Sequence, residues 1–271
     1  MLSEQEVDAY HRDGYVIPSQ FRLADDECAR LRSGLETVIA TNPGVPPDRL
    51  VNTHLDGKPP YGLHGAEVFS QLAKDERILD MVEQVLGEDL ILWLTHLFCK
   101  PASTGREVPW HQDGQYWPIR PHATCTVWVA LDRVDRGNGA LRVIPGSHKT
   151  GIVNHDVDLS PKLGLNQVAR REEFDAQAAQ YLELETGQVS LHHVDLLHGS
   201  ARNTSGRRRA GLAMRYMPAD AHFRRDIPVR SSKLDWTMLP LQLVRGVNRH
   251  PGNDLSVGHG VFDEAASTAT F

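Results

Sequence analysis

The chain has 271 residues, 40% of them hydrophobic and 24% charged, which is enough apolar side chain for a sizeable core in one large all-β or mixed domain. A formal charge of -6 and a pI near 6.1 argue against general affinity for nucleic acid or an anionic membrane. Three scattered cysteines (Cys28, Cys99, Cys125) with no CxxC pair suit free thiols, and neither a secretory leader nor a run of about 20 apolar residues is seen, so a cytoplasmic protein is expected.

Ser3 followed by Glu6 makes a capping box, and Val7 and Tyr10 fall at helical spacing, so a helix is predicted to open the chain. A second is predicted from Asp25 to Ala40, with Leu31, Leu35, Val38 and Ile39 as its apolar stripe. Asn42 to Gly62 is rich in Pro and Gly and reads as a long loop, and loops of that length are usually functional or disordered. The helical pattern resumes in "DERILDMVEQVLGEDL", with Gly87 as its stop. Beyond Gly87 the texture changes to short apolar or alternating runs such as "LILWLTHLFCK", "ATCTVWVALDRV", "GQVSLHHVD" and "AGLAMRYMP", broken by Gly, Pro, Asn and Asp. That is the pattern of a β-sandwich or barrel. A helical interruption is expected near Arg171 to Tyr181, and a less regular tail follows Asp220 with arginines at 224, 225, 230, 245 and 249. With no internal repeat, residues 1–271 read as a single domain, a helical N-terminal third packed on a mainly β core.

The stretch "VPWHQDGQYWP" sets His111 and Asp113 two residues apart in a run that reads as strand. On a strand such residues point the same way, about 6.5–7 Å apart, and can converge on one ion. A redox iron(II) site of two imidazoles and one carboxylate needs a further histidine from a distant strand. His122, His148, His155, His192, His193, His198, His222, His250 and His259 all follow Asp113. His198 has the most suggestive context, "LLHGSARNTSGRRRAGLAMRY". A short strand, Val194 to Leu197, would end at His198, turn through Gly-Ser and return through Asn203 and Ser205. Such a hairpin brings Arg209 to the metal side, where a guanidinium fork can hold a dicarboxylate as lysine cannot. Arg207 is its competitor on the same face by alternation.

The stretches "WHQDGQYWP", "VALDRVDRGNGALRVIPGSHK" and "LLHGSARNTSGRRRAG" resemble the phytanoyl-CoA dioxygenase family of iron(II)/2-oxoglutarate oxygenases, and the likeness runs from about Glu4 to Pro218. The resemblance implies a double-stranded β-helix core, jelly-roll and cupin-like, and a hydroxylase using iron(II), 2-oxoglutarate and dioxygen. It implies His111, Asp113 and His198 as iron ligands. It also implies Arg209 on the far carboxylate of 2-oxoglutarate, helped by Ser200 and Thr126, with Trp128 on the same face as Thr126 and Gln112 between the ligands. Family members that halogenate carry a small residue in place of the carboxylate, so Asp113 points to hydroxylation.

Substrate contacts are expected from Asn52 and His54 in the long loop and from Gln115, Trp117 and Arg120 after the ligand strand. That set is polar and aromatic, unsuited to a long acyl-CoA. Arg245, Arg249, His250 and Asn253 either face the pocket or form a solvated loop. In the first case a small anion would be drawn in, and the texture is similar to family members that hydroxylate small organophosphonates of the 2-aminoethylphosphonate type. A natural-product intermediate and a compatible solute are the enzymatic alternatives. A non-catalytic metal or ligand sensor on the same fold is the alternative of another class, although closed structural zinc sites use four protein ligands. The expected partner is a small molecule, with no nucleic acid or membrane, and self-association is left open. Trp110 reads as core, His148 as the closer of a hydrogen-bonded corner, and one of His192 and His193 as inward-facing.

Overall fold

The computed structural model describes residues 1–57, 59, 61–228 and 235–259, so Arg230 lies outside the described residues. Its helices are α1 (Glu4–Asp13), α2 (Asp25–Thr41), α3 (Glu67–Leu72) and α4 (Glu76–Leu86). The Ser3 hydroxyl accepts from the Glu6 amide, and the Glu6 carboxylate accepts from the Ser3 amide at 2.8 Å. At the other end of α1, Gly14 sits at φ 82°, a conformation that favours glycine. α2 and α4 fall where the periodicity puts them, and Gly87 terminates α4. α3 was not anticipated, because six residues are too few to show a period; burial of Phe69 and Leu72 holds it.

The strands form two main antiparallel sheets. The larger has the order β1 (Tyr15–Val16), β11 (Val189–His193), β6 (Cys125–Ala130), β13 (Arg209–Pro218), β3 (Leu90–Lys100) and β15 (Gln242–Arg245), and β2 (Leu50–Val51) also pairs with β3. The smaller runs β10 (Gln180–Leu182), β7 (Leu141–Val143), β12 (His198–Ser200) and β4 (Val108–His111). Two ribbons complete the set: β5 (Ile119–Arg120) with β14 (His222–Phe223), and β8 (His155–Val157) with β9 (Gln167–Ala169).

Alternation gives the larger sheet two different faces. Val127, Val129, Leu212 and Met214 join Leu31, Leu35, Phe69, Ile78 and Val82 of the helices in one core cluster. The intervening residues Thr126, Trp128, Arg209, Gly211, Ala213 and Arg215 face the smaller sheet. The layers are thus helices, large sheet, small sheet, which is the jelly-roll architecture expected. Among the described residues no helix is long and apolar enough to cross a membrane.

Three local expectations change. Val194–Leu197 is a turn, and His198 begins a strand instead of ending one. Its apolar residues are buried one by one in separate clusters, so their hydrophobicity does not reflect a strand. β12 and β13 do not form a hairpin, because residues 201–208 carry the chain from the smaller sheet to the larger. Asn203 pins that crossover, donating to the carbonyls of Pro101 and Arg207 and accepting from the Ser205 amide. Between Arg171 and Tyr181 there are only two single 3-10 turns with no buried residue, so no apolar face stabilises a helix there.

Candidate active site

His111 is the last residue of β4, and Asp113 opens the 3-10 turn that follows, so a tight turn as well as strand alternation sets their geometry. His198, first in β12, lies directly opposite His111 in the strand pair. The three side chains are buried, and their ligand atoms lie within 4.8 Å of one another. His111 Nε2 is 3.4 Å from Asp113 Oδ1, His198 Nε2 is 3.9 Å from Oδ2, and the two rings are 4.1 Å apart. Each imidazole donates its Nδ1–H to a backbone carbonyl, His111 to Pro109 at 2.8 Å and His198 to Leu196 at 2.9 Å. That choice of tautomer leaves both Nε2 lone pairs aimed at Asp113.

Charge states suit a cation here. Burial works to raise the Asp113 pKa, but the imidazoles of His111 and His198 outweigh it and hold the carboxyl well below its usual range. Burial, with His111 beside it, pushes His198 down to about 4. Tyr116, which the sequence did not single out, donates its hydroxyl to Asp113 Oδ1 at 2.8 Å and orients the carboxylate. Two imidazole nitrogens and one fixed carboxylate, with no fourth protein ligand in the group among the described residues, make a donor set that fits an open iron(II) site.

At the start of β13, Arg209 is buried beside Ser200, with Nη2 3.5 Å from its hydroxyl. Its guanidinium carbon lies 5.4 Å from the Trp128 ring centroid, and its Nε is buried without a partner. Arg207 is instead half-exposed on Asp135, and Arg208 pairs with Asp132 and Glu36. Lys100, opposite Arg209 on β3, was missed. It is buried and donates to the Ser200 hydroxyl at 2.7 Å and to the Ala201 carbonyl at 2.6 Å. Burial, and then the charge of Arg209, push Lys100 down to about 6. The parity of His96, Phe98 and Lys100 along β3 was the available signal.

Several expected site residues lie elsewhere. Thr126 pairs in register with Arg215, at the far end of β13 from Arg209, so it is not part of the Arg209 cluster. Gln112 is a staple: its amide donates to the Asp195 carbonyl at 2.7 Å and to the Gly151 carbonyl at 3.0 Å, and accepts from Val153 N. Both of its N–H donors are spent on those loops, leaving none to donate to a cofactor. Arg120 is exposed and donates to the Trp117 and Ile119 carbonyls of its own turn. Gln115 is half-buried in the 3-10 turn.

The long loop packs along β3, and it sets His54 on the side chain of Thr95, which shares the helix-facing parity of Leu97, Cys99 and Met214 and not the face toward the metal cluster. Asn52 and His54 are buried against β3, and the amide and Nδ1 of His54 both contact the Thr95 hydroxyl, at 3.1 and 3.0 Å. Trp117 is buried edge-on to Trp93 at 4.6 Å. The C-terminal arginines face away from the metal cluster. Arg245 meets Glu76, Asp80 and Glu83 along one side of α4, and Arg249 pairs with Glu88 and Asp89. Asn253 holds the backbone of Ala221 and Phe223, and His250 stacks on His222. His148 closes a corner against the His11 carbonyl, and Trp110 packs with Ile144, Ala169 and Leu197.

Comparison with known proteins agrees with this architecture. A probable alpha-ketoglutarate-dependent hypophosphite dioxygenase of Stutzerimonas stutzeri is 34% identical over 158 residues, covering 57% of this chain. The chain spans about half of that relative's length, 54%. Bovine peroxisomal phytanoyl-CoA dioxygenase is 27% identical over 246 residues, covering 82% of this chain and 71% of that protein. Among solved structures, the apo form of the non-heme monooxygenase ThoJ superposes with a TM-score of 0.69 at 25% identity, covering 96% of this chain and 91% of that one. The phytanoyl-CoA dioxygenase (PhyH) family model matches residues 10–211, and the chain belongs to that family.

Proposed function

We propose that this protein is an iron(II)- and 2-oxoglutarate-dependent dioxygenase that hydroxylates a small polar molecule, with a small organophosphonate as the leading substrate class. The observation that carries the reading is the buried His111–Asp113–His198 cluster, facing the same interior as the buried Arg209. Iron(II) bound at the three side chains would supply oxidation by dioxygen coupled to decarboxylation of 2-oxoglutarate to succinate.

The chain's own residues do the rest. The Nδ1–H groups of His111 and His198 are tied to carbonyls, which turns Nε2 of each ring toward the metal position. Tyr116 keeps Asp113 turned toward them. Arg209 offers the fork for the far carboxylate of 2-oxoglutarate, Lys100 fixes the Ser200 hydroxyl next to it, and Trp128 covers the guanidinium from water. The polar and aromatic surroundings, and a relative named for hypophosphite, favour a small phosphorus oxyanion over a long acyl chain.

The test is anaerobic addition of iron(II) and 2-oxoglutarate to the apoprotein, read as the visible metal-to-ligand charge-transfer band. The band should form, should be lost in Asp113→Ala, and should shift with 2-aminoethylphosphonate or methylphosphonate. A shift caused instead by a compatible solute or a natural-product intermediate keeps the chemistry and replaces the substrate. No band in folded protein removes the enzymatic reading and leaves a sensor on the same fold.

A further inference from the structure

The inward face of the larger sheet carries a second buried arginine that the chemistry above does not use. Arg215 is on β13, six residues and about 20 Å of strand beyond Arg209, with the same parity. It is 6% exposed, and its Nε and Nη1 are buried without a hydrogen-bond partner. Its guanidinium carbon lies 5.0 Å from the Trp117 ring centroid and 5.9 Å from that of Phe98. Strand register extends the feature sideways. Thr126 of β6 is directly opposite Arg215, and His192 of β11 is directly opposite Thr126. The Thr126 hydroxyl and His192 Nδ1 are also buried and unpartnered, at 1% and 3% exposure. Three neighbouring strands therefore put three unsatisfied polar side chains in one row.

That row lies at the level of the metal cluster. Ser200 of β12 meets Arg209, whereas His198, two residues earlier, stands 5.1 Å from the His192 ring. A buried guanidinium with two unpartnered nitrogens is costly, so such a group is kept where something offsets that cost. In the protein alone, Asp113 supplies favourable charge from nearby without forming an ion pair with Arg215. Once a divalent metal takes up Asp113, and 2-oxoglutarate is met by the metal and Arg209, no protein anion is left for Arg215. We infer that Arg215, with Thr126 and His192 beside it, recognises the anionic headgroup of the substrate, a centre bearing two or more oxygens such as phosphonate, phosphinate or carboxylate. The guanidinium fork matches two such oxygens, the threonine hydroxyl adds a donor, and Trp117 and Phe98 wall the site with rings.

The inference rests on the metal and 2-oxoglutarate reading, and calorimetry separates the two. Protein loaded with nickel(II) and 2-oxoglutarate is titrated with methylphosphonate, hypophosphite and acetate, and with neutral dimethyl methylphosphonate as control. At least one anion should bind and the neutral ester should not; the preferred anion tells phosphorus oxyanion from carboxylate. Arg215→Gln should weaken that anion at least tenfold, Arg215→Lys should weaken it less, and all should keep wild-type affinity for 2-oxoglutarate. Thr126→Val, a nearly isosteric change, should weaken the anion severalfold and serves if Arg215→Gln fails to fold. Unchanged anion binding in these variants, no anion bound by wild type, or loss of 2-oxoglutarate binding in Arg215→Gln overturns the inference. Failure of wild type to take up nickel(II) and 2-oxoglutarate refutes the underlying reading instead.

Discussion

Gly211→Ala tests whether the sheet face beneath Trp128 is as closely fitted as the structure shows. A Cβ at this position would lie 1.9 Å from Trp128 Cζ2, 2.4 Å from Cη2 and 2.5 Å from Cε2, whereas ordinary contact starts near 3.4 Å. The ring would therefore have to retreat by about 1.5 Å. It has little room, because Trp128 is buried with Ala130, Val134, Ala140, Leu184 and Ala213 in one cluster. Overpacking of this kind costs about 1–3 kcal/mol, which for a chain of this size lowers Tm by roughly 2–5 °C. The same displacement disturbs the Trp128 ring over Arg209, so the Kd for 2-oxoglutarate should rise with it. Differential scanning fluorimetry and calorimetric titration read the two effects on one sample. Adding Trp128→Phe, which removes the atoms in the clash, should restore part of the lost Tm. A Gly211→Ala protein with wild-type Tm and wild-type 2-oxoglutarate affinity would refute the steric argument.

Arg209→Ala should weaken 2-oxoglutarate about 10- to 100-fold through loss of a charge-assisted contact, while Arg207→Ala, which removes a surface ion pair with Asp135, should leave it unchanged in the same titration. Because burial lowers Lys100 to about 6, the unfolded chain holds a proton that the folded one lacks between about pH 6 and the ordinary lysine value near 10.4. Lys100 therefore makes stability rise with pH through that window, by up to about 1.4 kcal/mol per unit, and Lys100→Met should flatten that slope in urea unfolding at pH 6, 7.5 and 9. Gln112→Ala should lower unfolding free energy by about 1–3 kcal/mol, since it strands the buried backbone groups that its amide holds, with far less effect on 2-oxoglutarate than Arg209→Ala.

Local chemistry was readable before any fold was known. The Ser3–Glu6 capping box, the stripe of α2 and the Gly87 stop each depend on residues a few positions apart, and each stands where the pattern put it. The pairing of His111 with Asp113 and the Gly-Ser context of His198 also speak through near neighbours, and the fold brings all three together. The errors share a cause. Val194–Leu197 looked like strand because its residues are apolar, but their hydrophobicity serves three separate clusters. Gln112 looked available to a cofactor, yet its acceptors, the carbonyls of Gly151 and Asp195, come from segments far along the chain. The C-terminal arginines could be placed neither in the pocket nor on a solvated loop from their own neighbours, and the acidic side of α4 packed against Arg245 decides against the pocket.

Sequence alone determined α1, α2 and α4, the mainly β core, the metal-ligating residue types and their family resemblance, because these are carried by spacing and composition within short windows. Which strands are neighbours was decided by long-range pairing. Alternation assigns Arg215, Thr126 and His192 each to one face or the other of its own strand, but only the register of β13, β6 and β11 sets them in a row. The register of β13 with β3 sets Lys100 beside Arg209, and Arg207, still in the crossover before β13, pairs with Asp135 instead. Side-chain direction is a local property of a strand, whereas adjacency across a sheet depends on hydrogen-bond partners many residues away, and the tertiary structure is what chose them.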